Sequence, residues 1–219
     1  MASLTQTDLP AILPVFPLQG ALLLPGGQLP LNIFEPRYRA MTEDAMGGPR
    51  LIGMIQPRVR ERIDPADSPA LHRTGCVGKI TSFTETSDGR YLINLTGICR
   101  FAAKRELPPL RGYRRVEADF AAYAGDFAPP QESAFDRAAI VTALRSYLAR
   151  NEFAADWKAV EDTCTADLVV LLSAMCPFTA IEKQALLEAP DAAERGRVLT
   201  SLLAMGRDLG KGERPSRMN

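Results

Sequence analysis

A chain of 219 residues with 46% hydrophobic and 24% charged residues has the composition of a folded globular protein, which excludes a disordered or fibrous class. Its 26 basic and 26 acidic residues give a formal charge of zero, which disfavours a polyanion binder that must neutralise phosphates. The longest apolar stretch, residues 168–176, is far short of the ~20 residues that cross a bilayer, so no membrane association is expected.

Proline and glycine punctuate the first half into short extended runs at residues 13–18, 21–24 and 29–34, with Pro25-Gly26-Gly27 as a turn. Prolines at this density suit strand ends and edges. One helix interrupts the strands. Pro36 fits a first-turn position, where no hydrogen bond is lost, and residues 37–46 then run to the Gly47-Gly48 stop. Glu35 stands at the positive end of that helix. Residues 51–55 read as the next strand, followed by a charged loop from Gln56 to Arg73 that contains His72.

Residues 77–86 and 90–97 flank Ser87-Asp88-Gly89, and an Asp-Gly pair tolerates the positive φ of a tight hairpin turn. In the return strand Tyr91, Ile93 and Leu95 share one face, while Asn94 and Thr96 lie on the other. Arg100-Phe101 and a strand over 113–123 complete six or seven short strands, a count that suits a closed or nearly closed barrel.

After Pro129-Pro130 the apolar spacing becomes helical, first in Ile140, Leu144 and Leu148 with Val141 and Tyr147 beside them. Residues 168–175 are apolar on nearly every side, which predicts the most enclosed helix, stopped before Pro177. Thr179 and Glu182 form a capping-box start for a helix reaching Glu188. Val198, Leu202, Met205 and Leu209 predict the core-facing stripe of the last helix. At roughly 2 kcal/mol for each large side chain buried, these stripes need partners, and a helical bundle supplies them.

Catalytic signatures are missing. Cys76, Cys99, Cys164 and Cys176 are too widely spaced for a CxxC knuckle, and His72 is the sole histidine, so no metal site is expected. Cysteines within apolar runs read as small buried hydrophobes, and His72 as an exposed, idle loop residue. There is no GxxxxGK[ST], GxSxG or HExxH, and residues 206–211 have the wrong spacing for a phosphate loop. No catalytic residues and no cofactor are expected. Residues 1–10 lack the basic start and apolar core of an export signal, so a cytoplasmic location is expected.

Three segments, Leu13-Pro14-Val15-Phe16-Pro17-Leu18, Leu24-Pro25-Gly26, and the run from Leu29 to Tyr38 with Met41, together resemble the opening of the amino-terminal domain of Lon proteases. Phe34-Glu35-Pro36-Arg37-Tyr38 is the most specific piece. Residues 75–80, Asp88-Gly89-Arg90-Tyr91, Gly97 with Arg100-Phe101, Asp156-Trp157 and residues 182–188 resemble later landmarks of that domain. The likeness spans about residues 12–205.

The resemblance implies an α+β fold: a PUA-like β pseudo-barrel over residues 1–125, a C-terminal α-helical bundle over 126–210 and a flexible tail over 211–219. It also implies the part of Lon that engages protein substrates, in a free-standing form without the ATPase and protease domains. The expected function is therefore a noncatalytic polypeptide-binding or adaptor module. Its expected partners are unfolded or apolar polypeptide segments and a separate protease or ATPase.

Under that reading Phe34 and Tyr38, with Leu22, Leu24 and the neighbouring Arg37, border a groove for extended apolar peptide. A purely structural role for the same run stands beside it, with the aromatics sealing the barrel and Arg37 neutralising Glu35. Two other functions stay open. RNA binding through the barrel would use Arg58, Arg60, Arg62, Arg111, Arg114 and Arg115, and a hydrolase of unfamiliar type would need groups that no motif marks.

Overall fold

The computed structural model describes residues 5–58 and 69–205, and it is a mixed α+β arrangement. Strands β1 (Ile12–Pro17), β2 (Gln28–Ile33), β3 (Leu51–Pro57), β4 (Leu71–Glu85), β5 (Tyr91–Leu110) and β6 (Tyr113–Asp119) form one sheet, with helix α1 (Pro36–Met46) between β2 and β3. Helices α2 (Arg137–Arg150), α3 (Trp157–Asp162), α4 (Thr165–Met175), α5 (Ala180–Glu188) and α6 (Ala192–Met205) follow.

The Asp88-Gly89 turn joins β4 to β5 as its residue types demand: Gly89 sits at φ +76°, and Glu85 pairs with Tyr91 across it. Both strands are longer than the alternation predicted, at 15 and 20 residues. Register shifts at Val77/Gly78, Ile80/Ser82 and Ala103/Arg105 let them bend. The first part of β5 pairs with β2 and β4, and its second part pairs with β6. Because β6 also pairs with β1, strands β1, β3, β4, β5 and β6 close into a ring, with β2 attached outside it on β5. All the pairings are antiparallel except β1 with β3.

Side chains from every ring strand meet in one cluster: Leu13 and Val15, Leu51 and Ile55, Val77, Cys99 and Phe101, and Val116. Phe101 is the bulkiest of them, and the ring accommodates it because Gly75 carries no side chain. A Cβ there would stand 2.5 Å from Phe101 Cζ. A second cluster joins Phe16, Ile52 and Met54 of the sheet and Tyr38 and Met41 of α1 to Ile140, Leu144, Leu168, Leu186 and Leu199 of the helices. Strand β3 contributes to both clusters, which is why it is buried on both faces.

Four expectations are corrected. Residues 21–24 do not pair as a strand: Leu22, Leu23 and Leu24 all turn inward instead of alternating, and the Leu24 carbonyl closes the following turn by accepting from Gly27 N at 2.8 Å. The strand expected over 113–123 ends at Asp119, whose carboxylate accepts from Ala121 N at 2.9 Å and starts a 3-10 segment, Ala121–Phe127. Helix α4 is not enclosed on every side. Leu168 and Val169 are buried, but Leu171 and Met175 are 48% and 71% exposed, because the other helices cover only one side of it.

The last correction concerns α6. Its fully buried residues are Arg195, Gly196, Leu199 and Leu203; Val198 and Leu202 pack against the core only partly buried, Met205 is 80% exposed, and Leu209 lies outside the described residues. Helix phase is set by packing: Gly196 seats against Phe135, and Arg195 Nε donates to the Leu186 carbonyl at 3.0 Å. Burial, helped by the like charge of the Arg100 guanidinium, lowers the Arg195 guanidinium pKa to about 10.

Helix α5 starts as its sequence dictates. Thr179 N donates to Glu182 Oε2 at 2.7 Å, and Glu182 N donates back to Thr179 Oγ1 at 3.3 Å. Thr179→Ala is expected to lower stability by ~1 kcal/mol, measured by urea denaturation.

Polar groups tie the helices to the sheet. Gln56 Nε2 donates to Gln184 Oε1 at 3.1 Å and to the Ala180 carbonyl at 3.0 Å, while Gln184 Nε2 donates to the Thr74 carbonyl at 3.2 Å. Lys183 Nζ donates to the Gly20 carbonyl at 2.8 Å, and its burial lowers its pKa. The strongest tie is Arg100 on β5, buried with Asp126. Its guanidinium donates to both Asp126 oxygens, at 2.7 Å and 2.9 Å for the shortest pair, and to the Leu187, Ala189 and Pro190 carbonyls at the end of α5.

Candidate polypeptide groove

The turn that precedes β2 is held against β5 by backbone contacts that only glycine permits. Gly26 N donates to the Gly97 carbonyl, and Gly97 N donates to the Gly27 carbonyl, both at 2.9 Å. A Cβ on Gly97 would stand 2.0 Å from the Leu24 carbonyl oxygen, so the approach needs a bare α-carbon. This contact draws Leu22 and Leu24 to the wall of a groove.

Helix α4 forms the opposite wall. Its N-terminus is anchored by Glu132, whose carboxylate accepts from Thr165 N at 3.0 Å and Ala166 N at 3.2 Å and is held low in pKa by those partners. The groove has a volume of about 290 Å3. Leu22, Leu24, Gly26, Gly27 and Gln28 line one side, and Thr163, Asp167, Val170, Leu171 and Ala174 line the other. Beyond the rim the apolar surface continues. Met175 lies one turn after Leu171, and Ile181 is exposed at the start of α5. Among the described residues, no lysine or arginine lines the groove.

The five residues expected around a peptide groove do not share one site. Leu22 and Leu24 line the groove, although only their edges face it, since both are buried. Phe34, 63% exposed, stands just past the far end of β2. Tyr38 is only 7% exposed and packs on Phe16 with ring centroids 4.1 Å apart. Arg37 pairs with Glu35 at 2.8 Å and lies over the Tyr38 ring at 4.7 Å. Tyr38 therefore seals the junction of α1 and β1, because α1 places positions 38, 41, 42 and 45 inward and turns 37 to solvent.

Sequence reasoning missed Val170, Leu171, Ala174 and Met175. Their signal is the all-round apolarity of α4, which gives enclosure only where other elements cover every face. A helix that is apolar on every side but packed on one leaves an apolar face in solvent.

Three arginines of the RNA reading are engaged within the fold. Arg111 is bound to Glu43 at 2.8 Å and Asp44 at 2.6 Å, Arg114 to Glu106 at 2.5 Å, and Arg115 to the Pro108 carbonyl at 2.9 Å, so these three do not project a free basic cluster. Arg58 lies beside His72, Arg73, Lys104 and Arg105, whereas Arg60 and Arg62 fall outside the described residues. His72 is not an exposed loop residue. It sits on β4, half-buried, and desolvation lowers its pKa.

Burial pushes the Cys99 thiol up to about 12 and the Cys176 thiol to about 11, which keeps both in the unreactive thiol form at neutral pH. Cys76 is buried as well, and Cys164 is exposed at the start of α4. Among the described residues, no group of three or more His, Cys, Asp or Glu side chains is placed to hold a metal ion. No helix among them is long and apolar enough to cross a membrane.

Comparison with known proteins agrees with this architecture. The chain is 25% identical over 211 residues to a Lon protease of Anaeromyxobacter dehalogenans and likewise to Lon protease 2 of Myxococcus xanthus. Each alignment covers 95% of this chain and 25% of the relative, so the chain spans about a quarter of the length of those proteins. A crystal structure of a Lon N-terminal domain protein from Xanthomonas campestris superposes with a TM-score of 0.60 at 23% identity, covering 88% of this chain and 97% of that one. The N-terminal domain of the Mycobacterium avium complex Lon protease gives 0.61 at 18% identity, with 88% and 98% covered. Both structures share the fold. A family model described as the ATP-dependent protease La (LON) substrate-binding domain matches residues 12–205, and the chain belongs to that family.

Proposed function

We propose that this chain is a noncatalytic polypeptide-binding module, a PUA-like pseudo-barrel with an attached helical bundle, which holds exposed apolar segments of unfolded proteins. The observation that carries this reading is the groove between residues 21–28 and α4, whose apolar walls continue into the exposed Leu171 and Met175. Apolar side chains that stay in water before binding lose that exposure when a partner covers them, at about 25 cal/mol per Å2 of apolar area removed. Family membership supports the same assignment, as do thiols held protonated by burial and arginines already bound within the fold. In the cytoplasm such a module would act as an adaptor, passing bound segments to a separate ATPase or protease.

Introducing Leu171→Asp together with Met175→Asp is expected to weaken binding of a reduced, carboxymethylated test protein at least about tenfold, followed by fluorescence anisotropy. The melting temperature should change little, because both side chains already face solvent. Unaltered affinity in the folded double variant would move the binding surface away from α4.

A further inference from the structure

Among the described residues, strand β2 has a partner on one side only. It pairs with β5 and lies at the end of the sheet order. Which of its backbone groups point outward follows from one hydrogen bond: Gly97 N donates to the Gly27 carbonyl, so residue 27 faces β5. The Cα register continues as Leu29 with Leu95, Leu31 with Ile93 and Ile33 with Tyr91. In an antiparallel ladder successive residues face alternate edges. Residues 29, 31 and 33 therefore turn their amides and carbonyls to β5, while Gln28 and Asn32 present both groups outward and Pro30 its carbonyl alone.

Pro30 occupies a position where it removes no donor from the β5 ladder, as an edge strand requires. Among the described residues, no strand pairs with the outward edge and no backbone group bonds it. Gln28 belongs both to this edge and to the groove lining. A Cβ at Gly27 would touch Val170 Cγ1 at 3.1 Å, which places α4 alongside the start of β2. The groove thus leads onto an unpaired strand edge that ends near the exposed Phe34.

Charge at the entrance narrows the occupant. Asp167 is exposed on the groove wall, Glu161 and Asp162 are exposed at the end of α3, and among the described residues no cation lines the groove. Arg137, the nearby guanidinium, is turned onto the Val160, Glu161 and Thr163 carbonyls. A second copy of the chain fits the edge poorly. In the fully overlapping register, antiparallel self-pairing sets Pro30 against Pro30, with no donor for either carbonyl, whereas a foreign segment supplies one.

We infer that the outward edge of β2 receives an extended, apolar polypeptide segment as an added strand, with a basic residue of that segment placed near Asp167. This rests on the polypeptide-binding reading and specifies how the segment is held: through main-chain bonds from Gln28, Pro30 and Asn32, with side chains of alternating character. Sequence tolerance with a preference for apolar, cationic segments follows, because the backbone supplies most of the contacts.

The probe is a fluorescein-labelled peptide of alternating valine and threonine with two lysines at one end, titrated against the full chain. Backbone N-methylation at one alternate set of positions should weaken binding about tenfold or more, while methylation of the other set changes it by less than about twofold. Exchanging the lysines for glutamates should also weaken binding, and Asp167→Asn should narrow that difference. Asn32→Pro, which deletes an outward donor, should reproduce the loss in a protein that still melts cooperatively.

Retained binding with equal effects of both methylated sets overturns strand addition and leaves the polypeptide-binding reading standing. Equal affinity for lysine and glutamate peptides overturns the assigned role of Asp167. Binding of neither this peptide nor an unfolded protein sinks both readings. A concentration-dependent dimer abolished by Asn32→Pro would assign the edge to self-association and overturn the inference.

Discussion

Replacing Arg100 with methionine should destabilise the chain by about 3–5 kcal/mol, because it removes the cation that Asp126 is paired with and leaves its carboxylate buried. The side chain's exposure is 3% and that of Asp126 is 8%, so solvent does little to screen or replace the pair. The same change strips donors from the Leu187, Ala189 and Pro190 carbonyls, where the guanidinium cation meets the C-terminal end of α5. Urea denaturation followed by far-ultraviolet circular dichroism measures the loss. Asp126→Leu in the Arg100→Met background should recover part of it, since an apolar pair avoids the unpaired charge. A loss below about 1 kcal/mol for the single variant would mean that the junction relaxes to admit water.

Gly97→Ala should cost about 3 kcal/mol and also impair polypeptide binding. The new methyl group would collide with the Leu24 carbonyl oxygen at 2.0 Å and its carbon at 2.8 Å, both of them backbone atoms that cannot rotate away. Relief requires residues 21–27 to shift, and Leu22 and Leu24 then leave the groove wall. Gly125→Ala is the matched control, because nothing lies within 4 Å of the position its Cβ would take. Comparable losses in both variants, read by thermal melting and peptide titration, would refute the steric argument.

Much of the fold was legible in local chemistry. The Asp88-Gly89 hairpin, the proline start of α1, the capping box of α5 and the alternation of Tyr91, Ile93 and Leu95 each depend on a few neighbouring residues, and each appears where those residues stand. The likeness of residues 12–205 to the Lon substrate-binding domain was legible too. The candidate site was read less well. Phe34 and Tyr38 carry the distinctive family run, yet one points to solvent at the far end of β2 and the other is buried on Phe16.

The sequence by itself determined element types, turn positions, several caps and the family, because each of these is decided by backbone preferences and spacing over a few residues. Tertiary structure alone decided which faces of α4 and α6 are covered, which strand edge stays open, and that Arg100 reaches from β5 to the end of α5. Those outcomes depend on groups far apart in the chain. Apolar residues specify that a surface prefers burial, but only the arrival of another element determines whether it is buried or left in water for a partner.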